Sequence, residues 1–222
     1  MRALELALFV SALAVAGLVT FALLWSGVGP YADLARANNA PAIDFYNRSG
    51  QLISWDLVAA LDVHRQWADY VTGATSTPPQ FVADIRFTDD EYSHMADVRN
   101  VFVAAKFLVP VSLLVIVIRL QRARARSPRA MWELVRDGSL IAAAVVVLIG
   151  IVATFAFEPL FLAFHYVFFP QGNFLFDPAT SNLIRLYPDW YWQGISLRVG
   201  LSFIAVALSL AGAAALRLRA AK

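Results

Sequence analysis

The chain has 222 residues, of which 59% are hydrophobic, and a formal net charge of +2. Its mean hydropathy of +0.61 is too high for a water-soluble globular protein and is typical of a membrane protein. The sequence contains no cysteine, which excludes disulfide bonds, thiolate metal sites and a cysteine nucleophile.

Four apolar stretches are long enough to cross a bilayer, which takes about 20 residues in a helix. We expect transmembrane helices at 4–26, 101–120, 140–158 and 195–216. The first stretch lacks the cleavage region of a signal peptide, so we interpret it as a retained anchor. The sequence therefore predicts one all-α membrane domain with four transmembrane helices.

Basic residues are concentrated in two segments, and this predicts the orientation. The loop at 121–137 is rich in arginine, and Arg217, Arg219 and Lys222 follow the last span. The positive-inside rule places both segments, and with them both termini, in the cytoplasm. A short cytoplasmic loop needs no nucleic acid to explain its charge, and we predict no such partner.

The remaining segments, 27–100 and 159–193, are then predicted to face outward, and they contain all three histidines. In the longer segment, Ser54 is a candidate cap for a helix that ends near Thr72. Its apolar stripe includes His64, which we interpret as an incidental member of a packed face. The alternative is that His64 supplies a third polar group to a shared site.

A second outward helix is predicted to begin at Thr88 and to continue into the second span. Thr88 and Glu91 have the spacing of a capping box, in which each side chain accepts a backbone N–H of the first turn. Glu91, His94 and Asp97 follow at intervals of three residues, so two carboxylates flank one imidazole on the same helix face. His94 would lie near the lipid headgroups.

The third span is predicted to end with a second candidate pair. Glu158 and His165 are seven residues apart, which is two helical turns, and they share a face if Pro159 only kinks the helix. An ionisable group at membrane depth is a functional candidate because burying it is costly.

The outer loop supplies further candidates. Asp177-Pro178 predicts a turn, and residues 183–186 predict a short helix or a re-entrant segment. We take Asp177, Arg185 and Arg198 as candidates for substrate binding.

The predicted topology brings His94 and His165 to similar depth at the outer interface. An imidazole, with an ordinary pKa of about 6.5, can take and return a proton near neutral pH. With Glu91, Asp97 and Glu158 to orient the rings, acyl transfer or ester hydrolysis is feasible. Two alternatives stay open: a metal site at His94, as in a metal-dependent membrane hydrolase, and an outer face that binds lipid or peptide without catalysis.

Three segments of the chain together resemble one protein family. They read Phe87-Thr88-x-x-Glu91-x-x-His94-Met95-x-Asp97-Val98, Phe157-Glu158-x-x-Phe161-x-x-Phe164-His165, and Phe176-Asp177-Pro178-x-Thr180 continuing through Leu183-Ile184 to Pro188. The set, with the span count and loop lengths, resembles the four-span integral membrane family DUF1461. The characterised branch of that family is the lipoprotein intramolecular transacylase, Lit.

The resemblance implies a multi-pass enzyme of the bacterial cytoplasmic membrane, with its active site on the outer side and no cofactor or bound metal. Such an enzyme moves an acyl chain from the diacylglyceryl group of a lipoprotein to the α-amine of its N-terminal cysteine. The residues that match the catalytic positions of the family are His94 and His165.

We combine this resemblance with the pattern of charges into a mechanistic hypothesis. His94, oriented by Glu91 or Asp97, would act as general base on the attacking group. His165, oriented by Glu158, would donate a hydrogen bond to the carbonyl oxygen or protonate the leaving glycerol oxygen.

Overall fold

The computed structural model describes residues 2–81 and 85–220. Within them it forms seven α-helices and one β-hairpin. In chain order these are α1 (Arg2–Trp25), α2 (Val28–Ala37), β1 (Ala42–Tyr46), β2 (Leu52–Asp56), α3 (Leu57–Val71), α4 (Asp89–Arg126), α5 (Pro128–Phe168), α6 (Asn182–Leu186) and α7 (Asp189–Ala220).

The chain divides into two compact units. Unit 1 comprises Met1–Ala22, Ala105–Ala156 and Leu197–Lys222, and unit 2 comprises Leu23–Ala104 and Phe157–Ser196.

Four of the helices, α1, α4, α5 and α7, are long and apolar enough to cross a membrane. Each overlaps one of the predicted spans, which confirms a multi-pass, largely helical membrane protein with four transmembrane helices. The helices α4 and α5 are 38 and 41 residues long, so each extends well beyond the roughly 20 residues that a span requires.

Unit 1 is held together by close contact at small residues. A β-carbon on Gly17 would lie 2.6 Å from the Phe203 ring, so only glycine lets α1 approach α7 this closely. Ala142 and Ala143 of α5 are buried in the same cluster. Small residues are the usual means of helix contact in lipid, where burial of apolar surface gives little driving force.

The helix α5 is interrupted at Ala156, where φ is −142° and ψ is 45°. Pro159 lies three residues further on; proline lacks the N–H that a helix needs, and its ring collides with the preceding turn. The distortion expected at Pro159 is therefore present one turn earlier in the chain. In contrast, α4 continues as one helix through Pro110.

Unit 2 contains a β-hairpin that was not predicted from the sequence. β1 and β2 pair antiparallel, with Ile43 opposite Trp55. Ile43 and Phe45 are buried while Asp44 between them is exposed, which is the alternation of a strand with one face on a core. Gly50 closes the connecting turn with a φ of +80°.

The hairpin corrects the predicted start of the helix that follows it. Ser54 lies in β2, and α3 begins only at Leu57. Its N-cap is Asp56, whose carboxylate accepts a hydrogen bond of 2.8 Å from the N–H of Ala59. Aspartate caps a helix as well as serine does. The helix can therefore begin after Asp56 with little loss of stability, and the residues before it are free to pair as a strand. The end predicted near Thr72 is confirmed.

One buried asparagine joins α6 to the hairpin and to the residues before α4. Asn182 is fully buried, and its Oδ1 accepts a hydrogen bond of 2.7 Å from the N–H of Tyr46. Its Nδ2 donates to the carbonyl oxygens of Tyr46 and Arg86, at 2.8 and 2.7 Å. The position of α6 in unit 2 is thereby fixed by three bonds to main-chain atoms.

His64 lies inside the aromatic core of unit 2. Its ring is 1% exposed and stacks on Tyr31 at 4.5 Å, and its Nδ1 lies 3.1 Å from the hydroxyl of Tyr187. Burial lowers the pKa of His64 to about 4, against smaller opposing contributions from the backbone of Gly27 and Ser26. No contact among the described residues joins His64 to His94 or His165, so it is a packed core residue and not a third member of a shared site.

Because of this burial, the stability of the protein should fall on acidification. Between pH 6.5 and about 4, unfolded chains bind a proton on His64 that folded chains do not, so the free energy of unfolding decreases by up to about 3 kcal/mol as the pH drops. Thermal unfolding of the detergent-solubilised protein across this range would measure it. The unfolding temperature of His64→Phe should depend less on pH than that of the unaltered chain. An equal dependence on pH in both proteins would contradict the assignment of the effect to His64.

Candidate active site

The start of α4 is fixed by the predicted capping box. The N–H of Thr88 donates to Oε2 of Glu91 at 2.7 Å, and the N–H of Glu91 donates to Oγ1 of Thr88 at 3.2 Å. These two bonds satisfy backbone donors that the first turn of a helix leaves unpaired. His94 follows one turn later, so its position depends on this cap.

The second oxygen of Glu91 reaches across to the start of α6. Its Oε1 accepts hydrogen bonds from the hydroxyl of Ser181 at 2.6 Å and from the N–H of Leu183 at 2.7 Å. The side chain is 1% exposed, and its hydrogen bonds go to Thr88, Ser181 and Leu183 and not to His94. The expectation that Glu91 orients His94 is therefore corrected: this carboxylate joins two helix starts.

Two histidines from different helices meet in unit 2. The rings of His94 on α4 and His165 on α5 are stacked, with centroids 5.9 Å apart and planes inclined by 21°. Their residues are 6% and 8% exposed. The ring of Phe169 packs against both imidazoles, and its centroid lies 4.8 Å from that of His94 and 5.4 Å from that of His165. The structure thus brings together a pair that the sequence placed only at similar depth.

A main-chain carbonyl orients His165. Its Nδ1 lies 2.7 Å from the carbonyl oxygen of Phe161, one turn earlier in α5. A carbonyl only accepts, so Nδ1 carries the hydrogen and Nε2 of the neutral ring is left as the acceptor.

Glu158 does not take the orienting role predicted for it. Its side chain is exposed, and the Nδ1 of His165 that it was expected to hold is bonded to Phe161 instead. Two turns of helix separate Glu158 and His165 by about 10.5 Å along the axis, whereas side chains that touch on a helix are three or four residues apart. Sharing a face was therefore not enough for contact.

Asp97 is bonded to the loop that follows α5. Its Oδ2 accepts hydrogen bonds from Nε2 of Gln171 and Nδ2 of Asn173, both at 2.6 Å. Asn173 also lies 3.3 Å from Oγ of Ser93 and stands beside the His94 ring. The hydrogen bonds of Asp97 come from these amides and not from His94, so its expected role in orienting that ring is corrected too. Nothing in the sequence pattern singled out Gln171 or Asn173.

Two of the three substrate-binding candidates have their contacts away from the histidine pair. The guanidinium of Arg185 lies over the ring of Tyr46 at 4.6 Å. Asp177 is exposed, and its Oδ1 accepts from the N–H of Ala179 at 2.9 Å, which confirms the predicted turn. Arg198 is a half-buried residue of α7 in unit 1. Across residues 2–81 and 85–220, no three histidine, aspartate or glutamate side chains converge in an arrangement for a metal.

Comparison of the sequence with protein-family models identifies the family of this chain. The model of the family described as lipoprotein intramolecular transacylase Lit matches residues 53–192, which is more than half of the chain and includes both histidines. The chain belongs to the Lit family. A search of curated protein sequences finds no match.

Solved structures of Lit from Bacillus cereus share the fold of this Lit-family chain. One has a TM-score of 0.71 at 15% identity and covers 99% of this chain and 98% of its own. A second, with a histidine-to-arginine mutation, has a TM-score of 0.67 at 12% identity over 100% and 95%. A third, with a histidine-to-alanine mutation, has a TM-score of 0.71 at 13% identity over 97% and 93%.

The role assigned to Glu91 predicts a large effect on stability. Glu91→Gln replaces the oxygen that accepts from Thr88 with an amide donor, and this should lower the free energy of unfolding by about 2 kcal/mol. Asp90→Asn is the matched control, because Asp90 is an exposed acid in the same first turn and its change should cost about 0.5 kcal/mol. The fall in unfolding temperature measures both effects. An equal fall in the two variants would contradict the role assigned to Glu91.

Proposed function

We propose that this chain is a lipoprotein intramolecular transacylase. It would move an acyl chain from the diacylglyceryl group of a lipoprotein to the α-amine of the same molecule's N-terminal cysteine. Membership of the Lit family supports the reaction class. The observation that carries the proposal for this chain is the pairing of His94 with His165, whose rings lie 5.9 Å apart among aromatic side chains.

This reaction needs two proton acceptors or donors in one place. An amine must lose protons as it attacks the ester, and the glycerol oxygen must gain one as it leaves. We propose that His94 takes a proton from the attacking α-amine and that His165 serves the leaving oxygen. His165 suits this part because its bond to Phe161 leaves Nε2 as an acceptor in the resting ring.

Bonds and protons balance in the proposed sequence. The amine, bound as an ammonium group, gives one proton to His94 and then attacks the ester carbonyl, so that a C–N bond forms. The tetrahedral intermediate gives its second proton to Nε2 of His165, which passes it to the glycerol oxygen as the C–O bond breaks. The products are an amide and a free glycerol hydroxyl, and the proton on His94 returns to water.

Apolar side chains next to the pair fit a lipid substrate. Phe164 and Phe168, on the same stretch of α5 as His165, are 47% and 48% exposed. In a bilayer they would contact acyl chains. The aromatic rings around the histidines would also keep water from the ester, which favours transfer to the amine over hydrolysis.

We further propose that the site faces the outer side of the bacterial cytoplasmic membrane and that both termini are cytoplasmic. The arginines at the end of α4, at the start of α5 and in the last turn of α7 support this orientation. It presents the histidines to the bilayer leaflet in which lipoproteins are anchored.

Replacement of either histidine should abolish transfer. We expect His94→Ala and His165→Ala each to lower the rate by at least about 100-fold, because general acid–base catalysis typically contributes that much or more. The measurement is mass spectrometry of the N-terminal peptide of a lipoprotein from a host that lacks N-acylation. Unaltered chain should give one acyl group on the amine and one fewer on the glycerol. His64→Phe is the matched control and should give the same product, whereas full activity of His94→Ala would refute the proposal.

The orientation can be tested with single cysteines, because the chain has none of its own. In intact cells, a membrane-impermeant maleimide should label Thr180→Cys and not Ala125→Cys, and both after permeabilisation. Both positions are exposed and uncharged, so the exchanges leave the charge bias unchanged. The opposite labelling pattern would reverse the proposed topology.

A further inference from the structure

A carboxylate with one unused oxygen lies next to the histidine pair. Asp97 follows His94 by three residues on α4, and side chains at this spacing are neighbours about 5–6 Å apart at their β-carbons. The hydrogen bonds from the side-chain amides of Gln171 and Asn173 both end on Oδ2 of Asp97. None of the described residues forms a hydrogen bond with Oδ1. The carboxylate is half-buried and therefore open to a bound molecule.

The carboxylate is also without a cationic partner. Across residues 2–81 and 85–220, no lysine or arginine forms an ion pair with Asp97; the ion pairs of unit 2 are those of Arg36 and Arg65 with neighbouring aspartates. Its bonds from Gln171 and Asn173 are neutral amide contacts. A partly buried carboxylate gains most from a cation, because charge-assisted hydrogen bonds are about twice as strong as neutral ones.

The two amides hold the carboxylate in one orientation. Gln171 and Asn173 flank Gly172, whose φ of +80° turns the loop back toward α4. Both donate to the same oxygen, so Oδ2 is fixed and Oδ1 points elsewhere. Asn173 stands beside the His94 ring as well, so the carboxylate, the amide and the imidazole form one polar cluster.

We propose that Asp97, held by Gln171 and Asn173, binds the α-ammonium group of the lipoprotein's N-terminal cysteine. This inference rests on the proposed function and identifies how the attacking amine is recognised. An α-amino group has a pKa of about 7.7–8.0, so at neutral pH most of it arrives as a cation. Oδ1 of Asp97 accepts from the ammonium, and the neighbouring His94 takes the proton that must leave before attack.

The arrangement assigns Asp97 to positioning and not to proton transfer. A carboxylate bound to an ammonium stabilises the charged amine, so the imidazole beside it is needed to remove the proton. Loss of the Asp97 charge should therefore weaken binding of the amine and raise KM more than it lowers kcat.

The test compares two peptides that differ only in the amine. Both carry a dialkylglyceryl thioether in which ether bonds replace the esters, so neither can be turned over; one has a free α-amine and the other has a hydrogen in its place. At pH 7 the full chain in nanodiscs should bind the amine peptide at least about tenfold more tightly, and Asp97→Asn should bind both equally. At pH 9.5 the preference should shrink because the amine is then neutral.

Asp44→Asn is the matched control, since it removes one exposed carboxylate from the hairpin of the same unit and should keep the preference. Equal binding of both peptides by the unaltered chain, or a preference that survives in Asp97→Asn, would overturn the inference. Turnover of the corresponding ester peptide is measured in parallel. Turnover without a preference, including turnover with no binding of either ether peptide, refutes the ammonium site alone. A preference without turnover refutes the proposed transacylase alone, and the absence of both preference and turnover refutes both.

Discussion

The carboxylate of Glu91 is the interaction on which the rest of unit 2 depends. It satisfies an N–H before the first turn of α4 and, through its other oxygen, the start of α6 some 90 residues further along the chain. Asn182, next to the serine that Glu91 holds, ties the same short helix to the hairpin. The loop after α5 is therefore anchored at its far end, and the residues that face His94 are carried on it.

Polar groups in this unit divide into two sets with different tasks. The acid of the capping box and the buried asparagine bind main-chain atoms and hold the fold. The imidazoles have fewer polar neighbours: His165 has one carbonyl, His94 has Asn173 and Asp97 beside it, and Phe169 packs against both rings. Such surroundings keep water out and make the few electrostatic contacts that remain stronger than they would be in solvent.

Much of the fold could be predicted from the sequence, and the site only in part. The spans follow from apolar length and the start of α4 from its capping box, because both are local patterns. The hairpin was missed because Ser54 suits a helix cap as well as a strand, and only pairing with β1 decides between them. The partners of Glu91 and Asp97 could not be found, since helical spacing gives a direction but not the residues that arrive from elsewhere, such as Ser181 and Asn173.

The hydrogen bond from His165 to the carbonyl of Phe161 makes the orientation of this ring tolerant of sequence change. Its acceptor belongs to the main chain, so no exchange of a single side chain can remove it while α5 stays helical. The helix backbone therefore determines the tautomer of His165. A histidine held by an aspartate side chain, in contrast, loses its orientation through one mutation. A chain built in this way can drift far in sequence and still present the same nitrogen to its substrate.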